Sequence, residues 1–417
     1  MIPLSDRIRR AVAAHGAEMA EFTRELVRIP TENPPGQNYR ACAEALARII
    51  RKAGLRATIA KIPPPREPRG AAKAHTGDAP RYWVSATLGS GKRALYFHGH
   101  YDVVPASNTA QFRPRDRNGN IFGRGTADMK GGLVAMLHAA RVLRELRVPL
   151  AGRIELAFVP DEETGGQRGT AALFESGALA PGCVGMLTAE PTGGVIWNAS
   201  RGAISLRVTV KGKTAHVGLS FRGVNAFERM MEMARELEKE KRRISRRRTR
   251  FNIAPAAARR SILLLGGRTE GGTNFNAVPA ECSFTVDRRI NPEENLGAEK
   301  RRLLELLNRV RRRGIEAEID IFQEGNSVAI EETQPLARAL GESAREITRR
   351  APAFEMCPGL LETRFYAARK IPALAYGPGL LSVSHGPNEF VLLREMENCA
   401  AVYALTAARI LGQEGRG

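Results

Sequence analysis

At 417 residues the chain is long enough for two or three domains, or for one large domain and one small. Its 43% apolar and 26% charged content is ordinary globular usage, which excludes a mainly disordered, collagen-like or coiled-coil protein. No run approaches 18 uninterrupted apolar residues, so no membrane span is expected, whereas 64 Lys+Arg against 44 Asp+Glu give a net charge of +20 and a surface that attracts anions.

The opening stretch, MIPLSDRIRRAVAAHGAEMAEFTREL, lacks the apolar core and cleavage site of a signal peptide and reads as an amphipathic helix. PPPREPRGAAKAHTGDAPR (63–81) is low in complexity and reads as an exposed loop. RALYFHGHYDVV (93–104) is a strand by composition. DMKGGLVAMLHAARVLREL (128–146) is helical, with Leu133, Met136, Leu137, Ala140 and Leu143 on one face. GRIELAFVPDEE (152–163) and CVGMLTAEP (183–191) are further strands. This alternation predicts an α/β domain with a largely parallel sheet.

Near Arg201 the pattern changes. AISLRVTVKG (203–212) alternates in period two, as a half-exposed strand does. A helix (Asn225–Lys241), strands at Arg260–Leu265 and 281–290, a helix (Glu293–Arg313) and a strand (Ile315–Phe322) follow. This β-α-β-β-α-β order predicts a split, ferredoxin-like α+β unit of about 120 residues. From about Asn326 the helix–strand alternation resumes and ends in a helix, Arg394–Leu411. The expected organisation is therefore a large domain built from 1–200 and 326–417, with a small domain, 201–325, inserted.

The basic runs KEKRRISRRRTR (239–250) and RVRRRG (309–314) end the inserted unit's two helices, where cations suit the helix dipole, and read as solvated faces. No aromatic–basic interleaving, helix-turn-helix signature or zinc-finger spacing points to nucleic acid. The five cysteines, Cys42, Cys183, Cys282, Cys357 and Cys399, are scattered without a CxxC, which argues against a disulfide framework and for a reducing cytoplasm.

Acidic and histidine side chains gather at the ends of the predicted strands, where α/β sheets carry their sites. They are His98, His100 and Asp102 in HGHYDVVP, Asp128 in GRGTADMKGG, Asp161, Glu162 and Glu163 in DEETGG, Glu190 in TAEPT, and His385 in SVSHGPNEF. Nitrogen and oxygen donors without cysteine suit zinc or another divalent first-row ion. One donor from each of these five stretches, two histidines and three carboxylates in all, exceeds one tetrahedral site that keeps a water, but suffices for two ions sharing a bridging carboxylate. Two ions about 3.5–4 Å apart can activate one hydroxide and polarise a carbonyl. Glu162 is placed to take and return the proton.

The ordered set HGHYDVVP, GRGTADMKGG, DEETGG, AEP and SHGPNE resembles the dinuclear zinc family of acetylornithine deacetylase, succinyl-diaminopimelate desuccinylase, aminoacylase-1 and carboxypeptidase G. The resemblance implies a zinc-peptidase-like catalytic domain with a mixed, mainly parallel sheet and an inserted ferredoxin-like lid and dimerisation domain. By the same resemblance Asp128 bridges two divalent ions, zinc first and cobalt or manganese as alternatives. His100 and Glu190 complete one ion, Glu163 and His385 the other. Glu162 is the general base and acid, Asp102 orients His100, and the Asp128–Met129 peptide is cis. His98 is read as a packing residue behind the ligands. In the lid, His216 in GKTAHVG matches a histidine that reaches across a dimer to the oxyanion, and Asn276 in TNFNAVP and Arg288 in VDRR match substrate contacts. Arg364 in GLLETRF matches an arginine that pairs with a substrate carboxylate, as a bidentate guanidinium does well. The implied function is a cytoplasmic amidohydrolase that removes the acyl group of an N-acyl amino acid. An exopeptidase of the same family is the alternative, and Glu at position 190 fits deacylases and carboxypeptidases.

Overall fold

The computed structural model describes residues 2–64, 79–179 and 182–412; most of the 63–81 stretch lies outside the described residues. The amphipathic N-terminus forms two helices, Leu4–Ala13 and Gly16–Val27, instead of one. The break falls where His15 leaves helical geometry (φ −101°, ψ 5°) and Gly16 meets the C-terminal helix. A Cβ on Gly16 would stand 2.4 Å from Glu397 Oε1.

The main sheet runs in the order Ala57–Lys61, Tyr82–Gly89, Arg153–Val159, Ala94–His100, Cys183–Thr188, Ala373–Ala375, Ile196–Ser200 and Val328–Ala329, with Phe354–Cys357 paired to Ile196–Ser200 off this path. Its centre is parallel: Ala94–His100 runs parallel to both neighbours, and Cys183–Thr188 parallel to Ala373–Ala375. Its flanks are antiparallel, since Tyr82–Gly89 opposes both neighbours. The central strand is buried along its whole length, and its alternate residues enter different cores. Leu95 and Phe97 pack among the helices Tyr39–Lys52, Gly131–Glu145 and Leu393–Leu411, while Ala94 and Tyr96 pack with Tyr366 on the other face. His98 and His100 continue the second series.

A second, antiparallel sheet, in the order Ile262–Gly271, Glu281–Ile290, Gly202–Lys211 and Ala317–Gly325, carries the helices Ala226–Ile244 and Leu296–Arg311 over a core of its own, including Leu206, Val208, Met233, Leu237, Val286 and Leu307. The strand read as Arg260–Leu265 continues to Gly271 through a register shift between Leu265 and Thr269. Two chain crossings join this lid to the main sheet, and a third contact adds to them. Phe251 and Ile253 pack on Ala199 and Met356, and Met356 N–H donates to Asn252 O at 2.7 Å. Among the described residues no helix is long and apolar enough to cross a membrane, and all five cysteines are free.

Candidate metal centre

The C-terminal ends of the parallel strands and the loops after them converge on Asp128. Its carboxylate has Oδ1 at 3.1 Å from His100 Nε2 and Oδ2 at 3.4 Å from His385 Nε2. Glu190 Oε1 stands 3.9 Å from the same His100 nitrogen, and Glu163 Oε2 is 3.3 Å from the same His385 nitrogen. Two donor groups result, His100–Asp128–Glu190 and Asp128–Glu163–His385, each with its ligand atoms within 4.8 Å of one another and with Asp128 common to both. The helix predicted to start at Asp128 starts at Gly131 instead. Asp128 and Met129 have non-helical backbone angles and are joined by a cis peptide. His385 (φ 64°) and Asp161 (φ 84°) occupy the left-handed region, which side chains other than glycine's visit at a cost and which is often met at functional sites.

The electrostatics say what the cluster lacks. Burial pushes Glu190 up to about 8, with Asp128 adding to it, and burial likewise raises Glu162 and Glu163. Burial would lower His100, but hydrogen bonds to Asp102 and Asp128 hold it well above its ordinary value. Hydrogen bonds to Asp128 and Glu163 lift His385 to about 10. The raised carboxyls and imidazoles show a buried, carboxylate-rich cluster that favours added positive charge. A divalent cation in each group supplies it and leaves the imidazoles neutral, so the donor set fits two such ions.

The surrounding residues fix these side chains. His100 Nδ1 is 3.0 Å from the carbonyl of Asp102, nearer than the 3.4 Å to its carboxylate, which leaves Nε2 to face the cluster. The Asp102 carboxylate mainly accepts from the backbone N–H groups of Glu162 and Glu163, each at 3.2 Å, and from Asn33 Nδ2 at 2.9 Å. Asp102 therefore positions the expected base as well as the histidine. Glu389 accepts from Ala127 N–H (3.0 Å) and Asp128 N–H (3.1 Å) on one oxygen and from Arg124 Nη1 (2.7 Å) on the other. Arg124 also holds the carbonyl of His385 at 3.1 Å. Asn33, Arg124 and Glu389 were not singled out from sequence. Arg124 and Glu389 lie inside quoted motifs; Asn33, before two prolines, carries no comparable signal.

His98 is buried, with Nε2 2.7 Å from Glu362 and Nδ1 3.1 Å from Tyr366 Oη. Nε2 also lies 2.9 Å from Thr170 Oγ1, and the ring packs behind the donor cluster. Arg364 donates to the carbonyls of Leu361 and Gly165, and its Nε has no partner among the described residues. His216 and Asn276 stand together on the lid, where Val217 N–H donates to Asn276 O at 2.9 Å. His216 is exposed, and neither residue bonds to the centre. Arg288 corrects an expectation. Its guanidinium is 1% exposed and gripped by Glu294 (2.6 Å) and Glu299 (2.8 Å) inside the lid, so it braces that domain and offers no face to a substrate.

The sequence profile of peptidase family M20/M25/M40 matches residues 96–409. The chain belongs to this family. M20 proteins are metallo-hydrolases, and curated relatives include a probable succinyl-diaminopimelate desuccinylase of Staphylococcus aureus (strain MRSA252), 32% identical over 229 residues, which are 50% of this chain and 56% of that protein. The chain thus matches little more than half the length of that relative. The acetylornithine deacetylase of Myxococcus xanthus is 27% identical over 337 residues, 79% of this chain and 83% of that protein. Among solved structures, the M20 metallo-carboxypeptidase Sso-CP2 of Sulfolobus solfataricus superposes with a TM-score of 0.76 at 18% identity, covering 94% of this chain and all of that one. At that identity the likeness is one of fold, including the inserted lid.

Proposed function

We propose that this M20 protein is a metal-dependent amidohydrolase that removes the acyl group from an N-acyl amino acid. The observation that carries the reading is that Asp128 turns one carboxylate oxygen to each of two donor groups, with the Glu162–Glu163 turn beside them. When bound there, two divalent ions, zinc first, supply Lewis acidity and a water of lowered pKa.

The chain's own residues do the rest. Glu162 takes the water proton and passes it to the leaving amine. Asp102 holds the backbone of Glu162 and the tautomer of His100. Arg364 receives the carboxylate of the leaving amino acid through Nε–H, the one guanidinium nitrogen without a partner among the described residues, since Nη1 and Nη2 donate to the carbonyls of Leu361 and Gly165. His216 donates to the oxyanion from a second copy of the chain. That dimer is supported by the apolar side chains bared around it, Val217, Leu219, Phe221 and Phe275, the last 96% exposed. Five unpaired cysteines agree with a cytoplasmic setting.

The second reading is a metallo-exopeptidase, with which Glu190 is equally compatible. A hydrolysis screen of N-acetyl, N-succinyl and N-formyl amino acids and dipeptides, with and without chelator, separates the two. Glu162→Gln should lower kcat by about 10²–10⁴-fold while metal analysis still finds two ions per chain. Turnover that survives either the chelator or this substitution would overturn the mechanism.

A further inference from the structure

The turn that carries Glu162 and Glu163 is wound around one buried carboxylate. Asp161, 1% exposed, accepts from Arg168 N–H (2.9 Å) on Oδ2 and from Thr164 Oγ1 (3.3 Å) on Oδ1, and its carbonyl accepts from Gly166 N–H (2.7 Å). Such a carboxylate needs a counter-charge. Arg81, the last residue of the 63–81 stretch read as an exposed loop but itself buried, supplies it, with Nε at 3.3 Å and Nη2 at 3.1 Å from Asp161 Oδ1.

Arg81 is itself held firmly. It is 3% exposed, its Nη1 donates to Ala79 O at 2.7 Å, and its guanidinium lies 5.6 Å from the centre of the Tyr39 ring. Tyr39 follows the turn that starts at Asn33, and Asn33 donates to both Asp102 and Thr164 at 2.9 Å. The arginine therefore clamps the turn bearing the base and a ligand against the segment that positions Asp102.

We propose that Arg81 is a positioning residue for the metal centre, acting through Asp161 on Glu162 and Glu163. The proposal rests on the metallo-hydrolase reading above, and its test is readable without a substrate. In the zinc-free protein, titrated with zinc in competition with a chromophoric chelator, Arg81→Ala should weaken zinc binding by about 10–100-fold, the range usual for partners of a metal ligand. Where turnover is measurable, kcat should fall by a similar factor with KM changed less than about 3-fold. Arg81→Lys, which keeps the charge but not the fork, should recover part of both.

If Arg81→Ala does not fold, the pair Arg81→Met with Asp161→Asn removes both buried charges and should fold while still binding zinc weakly. Wild-type zinc affinity and stoichiometry in a folded Arg81→Ala protein, or in that pair, would overturn the proposal. A wild-type protein that binds zinc but cleaves none of the screened amides would overturn the functional reading instead, and the zinc titration would still decide the role of Arg81.

Discussion

Glu389 offers a sharp test of how the centre is held. Replacing it with alanine strips Arg124, 2% exposed, of its carboxylate and leaves the N–H groups of Ala127 and Asp128 without their acceptor. A buried charge that loses its partner costs about 3–5 kcal/mol. Each abandoned N–H adds about 1–3 kcal/mol where water cannot reach it. The two costs overlap, because water entering the space left by the side chain serves both, so about 5 kcal/mol is expected. That is a large share of the 5–15 kcal/mol that holds an ordinary domain together. At about 2 °C per kcal/mol for a domain of this size, Tm should fall by about 10 °C. The assay is calorimetry on metal-free protein, so that ion loss does not enter the comparison. Glu389→Gln keeps an acceptor for the amides and should lose about half as much. A metal-free Glu389→Ala protein that melts within about 2 °C of wild type would refute the argument.

Two further outcomes concern one side chain far from the centre and one glycine beside it. Burial lowers His138 to about 4; Arg141 and His15 beside it act in the same direction, against its bond to Val134 and the charge of Glu18. The unfolded chain then binds the extra proton between pH 6.5 and 4, so stability is lost as pH falls through that window, by up to about 3 kcal/mol at 1.36 kcal/mol per unit. Urea unfolding at pH 7 and pH 4.5 should show a shallower loss in His138→Gln, and an identical loss would contradict the assignment. A Cβ at Gly377 would fall 2.3 Å from the backbone of Ala189 and Glu190. Gly377→Ala should therefore displace Glu190 and lower bound metal from two ions toward one. Two ions held with unchanged affinity would count against it.

How much was legible in the sequence depended on whether the partner was local. The donor residues close strands with period-two or continuous apolar patterns, and the fold sets those ends side by side, so His100, Glu190 and the DEE turn could be read in advance. The break at Asp128 was legible only through the family resemblance, which implied the cis Asp128–Met129 peptide, because the helical spacing from Leu133 onward extrapolates smoothly back through it. Arg288 was misread for a related reason. VDRR is equally compatible with a substrate contact and an internal ion pair, and its carboxylates come from Glu294 in the loop after the strand and Glu299 in the first turn of the next helix, whose packing the pattern does not encode. Arg81 and Asp161 lie 80 positions apart, and Arg124 and Glu389 265 apart; neither pair leaves a local trace.

The seam between the Asn252 carbonyl and the Met356 amide bears on how the inserted domain can travel. A body fastened at two neighbouring points swings freely about the line between them. A third fastening off that line removes the free swing, and the body then moves only by flexing its own substance or by letting one fastening go. Phe251, Ile253 and that single amide bond form such a third fastening. Any wide rotation must therefore unzip it or carry the strand Phe354–Cys357 along, and that strand leads directly to Arg364.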